Sequence, residues 1–90
     1  MIEVRFEEDK NRSAIYDGNN EIGECTFSKS DTIWIIDHTS VLPAYNGQGL
    51  ARKLVDAVVD AARERGMKVA ATCSYAVKVL KEEQYKEIVI

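Results

Sequence analysis

Histidine, proline and tryptophan each occur once in this chain of 90 residues, and cysteine twice. One histidine and two isolated cysteines without C-x-x-C spacing give no ligand set for zinc, so no metal site is expected. Twelve Lys and Arg against 15 Asp and Glu leave a net charge of −3 with no long basic run, which argues against general nucleic-acid binding. No apolar stretch approaches the roughly 18 residues needed to span a bilayer, so no membrane partner is expected. Met1-Ile2-Glu3 runs directly into alternating sequence, without the basic and apolar regions of a signal peptide. Cys25 and Cys73 then read as two free thiols of a cytoplasmic chain, with a structural disulfide as the alternative.

The chain contains 46% apolar and 30% charged residues, the composition of a globular protein. Its length predicts a single domain over 1–90, taken to be a monomer. Ile2, Val4 and Phe6 alternate with Glu3, Arg5 and Glu7, the period of a strand with one wet face. Ser13 to Asp17 reads as a second strand, and Asp17-Gly18-Asn19-Asn20 as a hairpin turn. Glu21 to Lys29 is a looser third strand in which Gly23 marks a bulge. Thr32 to Thr39 is the most β-prone run, apolar on both faces through Ile36, and predicts a central strand covered on both sides.

From Gly49 to Arg65, apolar positions recur at spacings of three and four, predicting an amphipathic helix that stops at Gly66. Lys68 to Cys73 is a further short strand. Separated from the fourth strand by a helix, it should lie parallel to it through a right-handed crossover. Ser74 is expected to cap a second helix reaching about Lys81, and Tyr85 and Ile88 suggest a docked turn or short helix. The fold class is therefore α/β (α+β): antiparallel strands followed by a β-α-β-α unit in one mixed sheet.

The stretch Leu42 to Leu54 organises the site. Gly47 and Gly49 let an anion approach the turn's backbone N–H groups, which lie at the N-terminus of the helix. Those groups lack intrahelical acceptors, and the helix dipole adds roughly half a positive charge. Arg52 and Lys53 follow closely enough to reach the same phosphate or pyrophosphate. Ligands of such sheets bind beyond the carboxyl ends of the parallel strands. His38-Thr39-Ser40 and Thr72-Cys73-Ser74 stand at those ends, on the rim of the anion-binding turn. A dinucleotide fold is a weaker reading, since Arg52 occupies the place of the third glycine.

The run Asn46-Gly47-Gln48-Gly49-Leu50-Ala51, within Val41 to Gly66, resembles motif A of the Gcn5-related N-acetyltransferases. That motif reads Gln/Arg-x-x-Gly-x-Gly/Ala. Almost the full chain further resembles a minimal branch of the family that lacks the usual N-terminal helical region, with His38-Thr39 at a strand end and Cys73 before the last helix. The resemblance implies acetyl-CoA as co-substrate, its pyrophosphate on Gln48 to Ala51 and its pantetheine between two splayed parallel strands. Gly47, Gly49, Leu50 and Arg52 join that coenzyme site, and the strand backbone at Thr39, Ser40 and Val41 would polarise the thioester carbonyl. An unknown amine or protein is the implied acceptor.

Two departures stand out. Asn46 replaces Gln or Arg at the first motif position, and Leu80 stands near the place of the family's general-acid tyrosine, with Tyr75 one turn or more early. Cys73 and His38 are the candidate catalytic residues. In the family's conventional mechanism the acceptor amine attacks the thioester directly; in the alternative a thiolate at Cys73, favoured by a helix N-terminus, accepts acetyl from the thioester and passes it on. His38 would deprotonate an amine or Cys73. Their plainer roles are a small buried residue and a strand-end tie to a carbonyl. A non-catalytic acyl-CoA-binding or sensing module is the alternative function, and a partner-binding domain with a vestigial loop is a third.

Overall fold

Tight turns fold the first half of the chain into a meander. In the computed structural model, which describes Met1–Ile90, β1 (Ile2–Glu7), β2 (Arg12–Asp17), β3 (Asn20–Lys29) and β4 (Ile33–Val41) pair consecutively and antiparallel. Gly18 makes the β2–β3 turn at φ 63°, a left-handed conformation that favours glycine. Helix α1 (Leu50–Glu64) then crosses the sheet, and β5 (Lys68–Ala71) returns parallel to β4. Strand order is β1-β2-β3-β4-β5. Helix α2 (Ser74–Leu80) and a 3-10 turn at Glu83–Tyr85 complete the chain.

The periodic stripe of α1 is buried as its spacing predicts: Leu50, Leu54, Val55, Val58, Val59, Ala61 and Ala62. It packs into one core cluster with Ile15, Cys25, Phe27, Trp34, Ile36 and Val69. Phe27 stacks on Trp34 at 4.5 Å between ring centroids, and Phe6 lies 5.9 Å from each. Buried Ser13 donates its hydroxyl to Leu54 O at 2.7 Å, tying β2 to α1 through an otherwise apolar contact. On the opposite face Arg12 holds Glu7, Glu21 and Glu24 together at 2.8–2.9 Å.

Three boundaries differ from the sequence reading. Strand β4 runs to Val41, two residues past Thr39, because β3 continues to pair with it there. Strand β5 ends at Ala71, so Thr72 and Cys73 lie beyond it. Cys73, not Ser74, is the N-cap of α2, and no side chain caps the helix; Ser74 already has its place inside. Ile33 and Ile35 are only half-buried, so β4 is fully covered on one face. The expected bulge at Gly23 is present as the register shift between Ile15 and Tyr16, where Ile15 pairs with Gly23 and Tyr16 with Glu21. The tail docks through buried Tyr85 and Ile88, and Val89 bridges to Val69.

Candidate active site

The site begins where β4 and β5 part. Their ladder runs from Ile33 opposite Lys68 to Ile36 opposite Ala71 and stops. The N–H groups of Thr72 and Cys73 both donate to Ile36 O, at 2.9 and 3.3 Å, which turns β5 out of the sheet. On the other side of β4, Phe27 pairs with Ile36 but Thr26 pairs with His38, leaving Asp37 as an extra residue. This β-bulge bends the strand and shifts the alternation of everything after it. Asp37 is exposed and accepts the hydroxyls of Thr26 (2.6 Å) and Ser28 (3.0 Å).

Beyond the bulge, β4 is paired only with β3. Leu42 N–H donates to Ile22 O at 2.8 Å, so by antiparallel alternation the N–H of Ser40 also points toward β3. The N–H groups of Thr39 and Val41 then face the opening left by β5. The Val41 N–H is open to a ligand there, whereas the Thr39 N–H also faces the Cys73 sulfur.

The second part of the site is the glycine turn. After a 3-10 turn at Pro43–Tyr45 the chain passes through Gly47 at φ 82° and Gly49 at φ 73°. A Cβ built at either position meets nothing within 4 Å. The turn therefore needs glycine for its backbone conformation, and its outer side is open. Gly49 is the N-cap of α1 and offers no side-chain cap. The first intrahelical bond is Lys53 N–H to Gly49 O at 3.3 Å, so the N–H groups of Leu50, Ala51 and Arg52 precede the helical ladder. A cleft of about 190 Å³ joins this turn to the strand end; Val41, Tyr45, Gly47, Gly49, Leu50 and Tyr75 are among its walls. Tyr45 donates its hydroxyl to Asp17 Oδ2 at 2.6 Å, which anchors the turn to the β2–β3 hairpin.

Cys73 is half-buried, at the same opening. Burial acts against ionisation of its thiol. The backbone N–H groups of Ala76 and Tyr75, the hydroxyl of Thr39 and the backbone N–H of Thr39 outweigh that effect and hold its pKa below the ordinary thiol value. Thr39 Oγ1 stands 3.7 Å from Cys73 Sγ and 3.5 Å from Sγ of buried Cys25. Burial, opposed in part by the Thr39 hydroxyl, pushes the Cys25 thiol up to about 11.

The structure thus brings Val41, Gly47, Gly49, Leu50 and Ala51 together around one cleft, with Thr39 and Cys73 paired through their side chains. Gln48 is an exposed residue of the same turn. Ser40 is exposed and lines a separate shallow depression with Glu21, Glu24 and Leu42. His38 is exposed beside the bulge, and the hydroxyl that reaches Cys73 comes from Thr39. Arg52 pairs with Glu82 (2.5 Å) and donates Nε to Tyr85 OH (3.2 Å), whose hydroxyl is itself bonded to Asp56. Leu80 is buried, whereas Tyr75 lines the cleft, and burial raises its phenol's pKa. Sequence reasoning passed over Tyr45, whose partner Asp17 is 28 positions away, and Cys25, which sits mid-strand without a local signal.

The profile described as GCN5-related N-acetyl-transferase matches residues 12–88. The chain belongs to the GCN5-related N-acetyltransferase family. A GCN5-like protein of Staphylococcus aureus, solved in solution, superposes with a TM-score of 0.76 and 37% identity, over 98% of this chain and 87% of that one. Protein NATD1 of Gallus gallus is 40% identical over 55 residues, and so is its counterpart in Homo sapiens; each match takes in 58% of this chain. The matched region spans about half the length of these curated relatives. N-acetylglutamate synthase from Neisseria gonorrhoeae, solved with coenzyme A and N-acetylglutamate, shares the fold at 18% identity, with a TM-score of 0.68 over 82% of this chain and 19% of that one. The mixed five-stranded sheet with its two helices is thus a fold this chain shares with GCN5-related proteins.

Proposed function

We propose that this chain is an N-acetyltransferase that binds acetyl-CoA along the cleft between the glycine turn and the end of β4. The N–H groups of Gln48, Gly49, Leu50 and Ala51 receive the pyrophosphate, aided by the dipole of α1. The N–H of Val41, beside that of Thr39, which also faces Cys73, receives the thioester carbonyl, where negative charge develops during acyl transfer. One observation carries the reading: the β4–β5 ladder stops at Ile36 opposite Ala71, and Val41, just beyond it, shares a cleft with Gly47 and Gly49.

Transfer proceeds through Cys73 in this reading. Its thiolate attacks the acetyl carbonyl, a new S–C bond forms, and the bond to the sulfur of coenzyme A breaks, releasing that sulfur as a thiolate that takes up a proton. An acceptor amine then attacks the acetyl-cysteine, gives up a proton and restores the Cys73 thiolate. The lowered pKa of Cys73 supports this route. His38, exposed at the rim, is available to take the amine's proton.

Incubation with acetyl-CoA, followed by intact-mass measurement and assay of free CoA, tests the proposal. One acetyl group on the Cys73 peptide, absent in Cys73→Ala, together with CoA release and amine acetylation, is the expected result. Full amine acetylation by Cys73→Ala would replace the covalent route with direct attack. Binding without CoA release would favour the acyl-CoA-sensing reading, to which the buried leucine at position 80 already lends support.

A further inference from the structure

Thr39 stands between two sulfurs, at 3.5 Å from Cys25 Sγ and 3.7 Å from Cys73 Sγ. A hydroxyl carries one proton and two lone pairs, so it donates to one sulfur and accepts from the other. With Cys73 protonated, its S–H donates to Thr39 Oγ1 and the Thr39 O–H donates to Cys25, the arrangement that the geometry accommodates. Once Cys73 is a thiolate it has no proton to give. The favourable arrangement is then the reverse: Thr39 O–H donates to the Cys73 sulfur, and Cys25 S–H donates to the Thr39 oxygen.

We infer that Thr39 and Cys25 are positioning residues for Cys73, forming a reversible chain of hydrogen bonds that turns the Thr39 proton toward the Cys73 sulfur when it ionises. The inference rests on the reading of Cys73 as a nucleophile. Cys25 suits the part because a thiol both gives and takes a hydrogen bond, and because it is fully buried, where solvent offers no competing partner. It remains a thiol itself, since burial opposes its ionisation. The bulge at Asp37 makes the chain possible, for it puts Thr39 opposite Cys25 on the core side of the sheet. The groups that face the Cys73 sulfur are the N–H groups of Tyr75 and Ala76 from α2, and the hydroxyl and backbone N–H of Thr39 from β4, with Cys25 of β3 behind the hydroxyl.

The test is the pH profile of Cys73 alkylation by iodoacetamide, read at the Cys73 peptide by mass spectrometry, in the full chain without acetyl-CoA. It reports the thiolate directly, so it stands or falls separately from coenzyme binding and acetyl transfer. Thr39→Val keeps the shape and both backbone donors; its profile should move to higher pH, with alkylation at neutral pH falling about tenfold. Thr39→Ser should restore the wild-type profile. Cys25→Val should shift it in the same direction by a smaller amount, and Cys25→Ser should not. Backbone amide spectra confirm that each variant is folded. An unmoved profile in Thr39→Val would overturn the proposal, and equal shifts in Cys25→Val and Cys25→Ser would remove Cys25 from it.

Discussion

Arg52 Nη2 donates to Glu82 Oε1 at 2.5 Å, so the arginine of the first turn of α1 is tied to the segment that follows α2. The neighbouring N–H groups of the helix N-terminus carry no such partner among the intrahelical bonds. An anion at the glycine turn would compete with Glu82 for this guanidinium. Glu82→Gln is therefore expected to tighten coenzyme A binding by about two- to fivefold, the worth of a solvent-exposed ion pair. Calorimetry at two salt concentrations checks it, with a steeper salt dependence in the variant. Unchanged affinity would mean that Arg52 takes no part in binding.

Replacing Gly49 by valine places a β-branched side chain at φ 73°, a conformation costing roughly 1–2 kcal/mol, on the open side of the turn. Coenzyme A affinity should fall by at least about tenfold, since the side chain obstructs the N–H cluster. Gly18→Ala is the control. It carries comparable strain at φ 63° in the β2–β3 hairpin and should lower stability while leaving affinity intact.

Tyr45 links the site to acid pH. Its hydroxyl lowers the pKa of Asp17, the leading cause of that shift. A carboxylate with a depressed folded-state pKa contributes stability above its ordinary value and loses it as pH falls through the folded one. The Tyr45–Asp17 tie should thus loosen in acid, and coenzyme affinity with it. Tyr45→Phe should bind more weakly at neutral pH and show less of this acid dependence. NMR titration of the Asp17 carboxyl should show its pKa moving upward in the variant.

Arg12→Met removes the cation shared by Glu7, Glu21 and Glu24. With only 13% of the Arg12 side chain exposed, the loss should cost about 2–3 kcal/mol at neutral pH. The penalty should shrink as Glu7 protonates. Glu7 is held below the ordinary range first by the Tyr16 hydroxyl and then by Arg12, against the effect of burial, so its stabilisation is lost as pH falls below about 4.3 toward its folded value. Urea unfolding over a series of pH values from 7 to well below 4 should show the two proteins drawing together as pH falls through the depressed pKa of Glu7.

The features legible in the sequence are those with local causes. The stripe from Leu50 to Ala62 follows from helical periodicity, and the glycine turn from positive φ at Gly47 and Gly49. The meander and the parallel return of β5 follow from alternation, turn residues and crossover rules. What was not legible depends on partners distant in sequence. Nothing near Asp37 announces that Phe27 and Thr26 will pair two residues apart on β4. That skip decides that Thr39 meets Cys25. Similarly, the pairing of Arg52 with Glu82 requires knowing where α2 ends relative to α1.

The extra residue at Asp37 divides β4 into two independently phased halves. Before it, Trp34 and Ile36 keep time with the core; after it, Thr39 and Val41 resume the inward beat one position late. Deleting Asp37 would remove the bend but leave Thr39 opposite Cys25 and Val41 opposite Gly23, because Ile36, His38 and Thr39 would then alternate simply against Phe27, Thr26 and Cys25. The course of the strand at the opening can thereby be altered by a single-residue deletion that touches neither the hydrophobic interior nor the inward places of Thr39 and Val41.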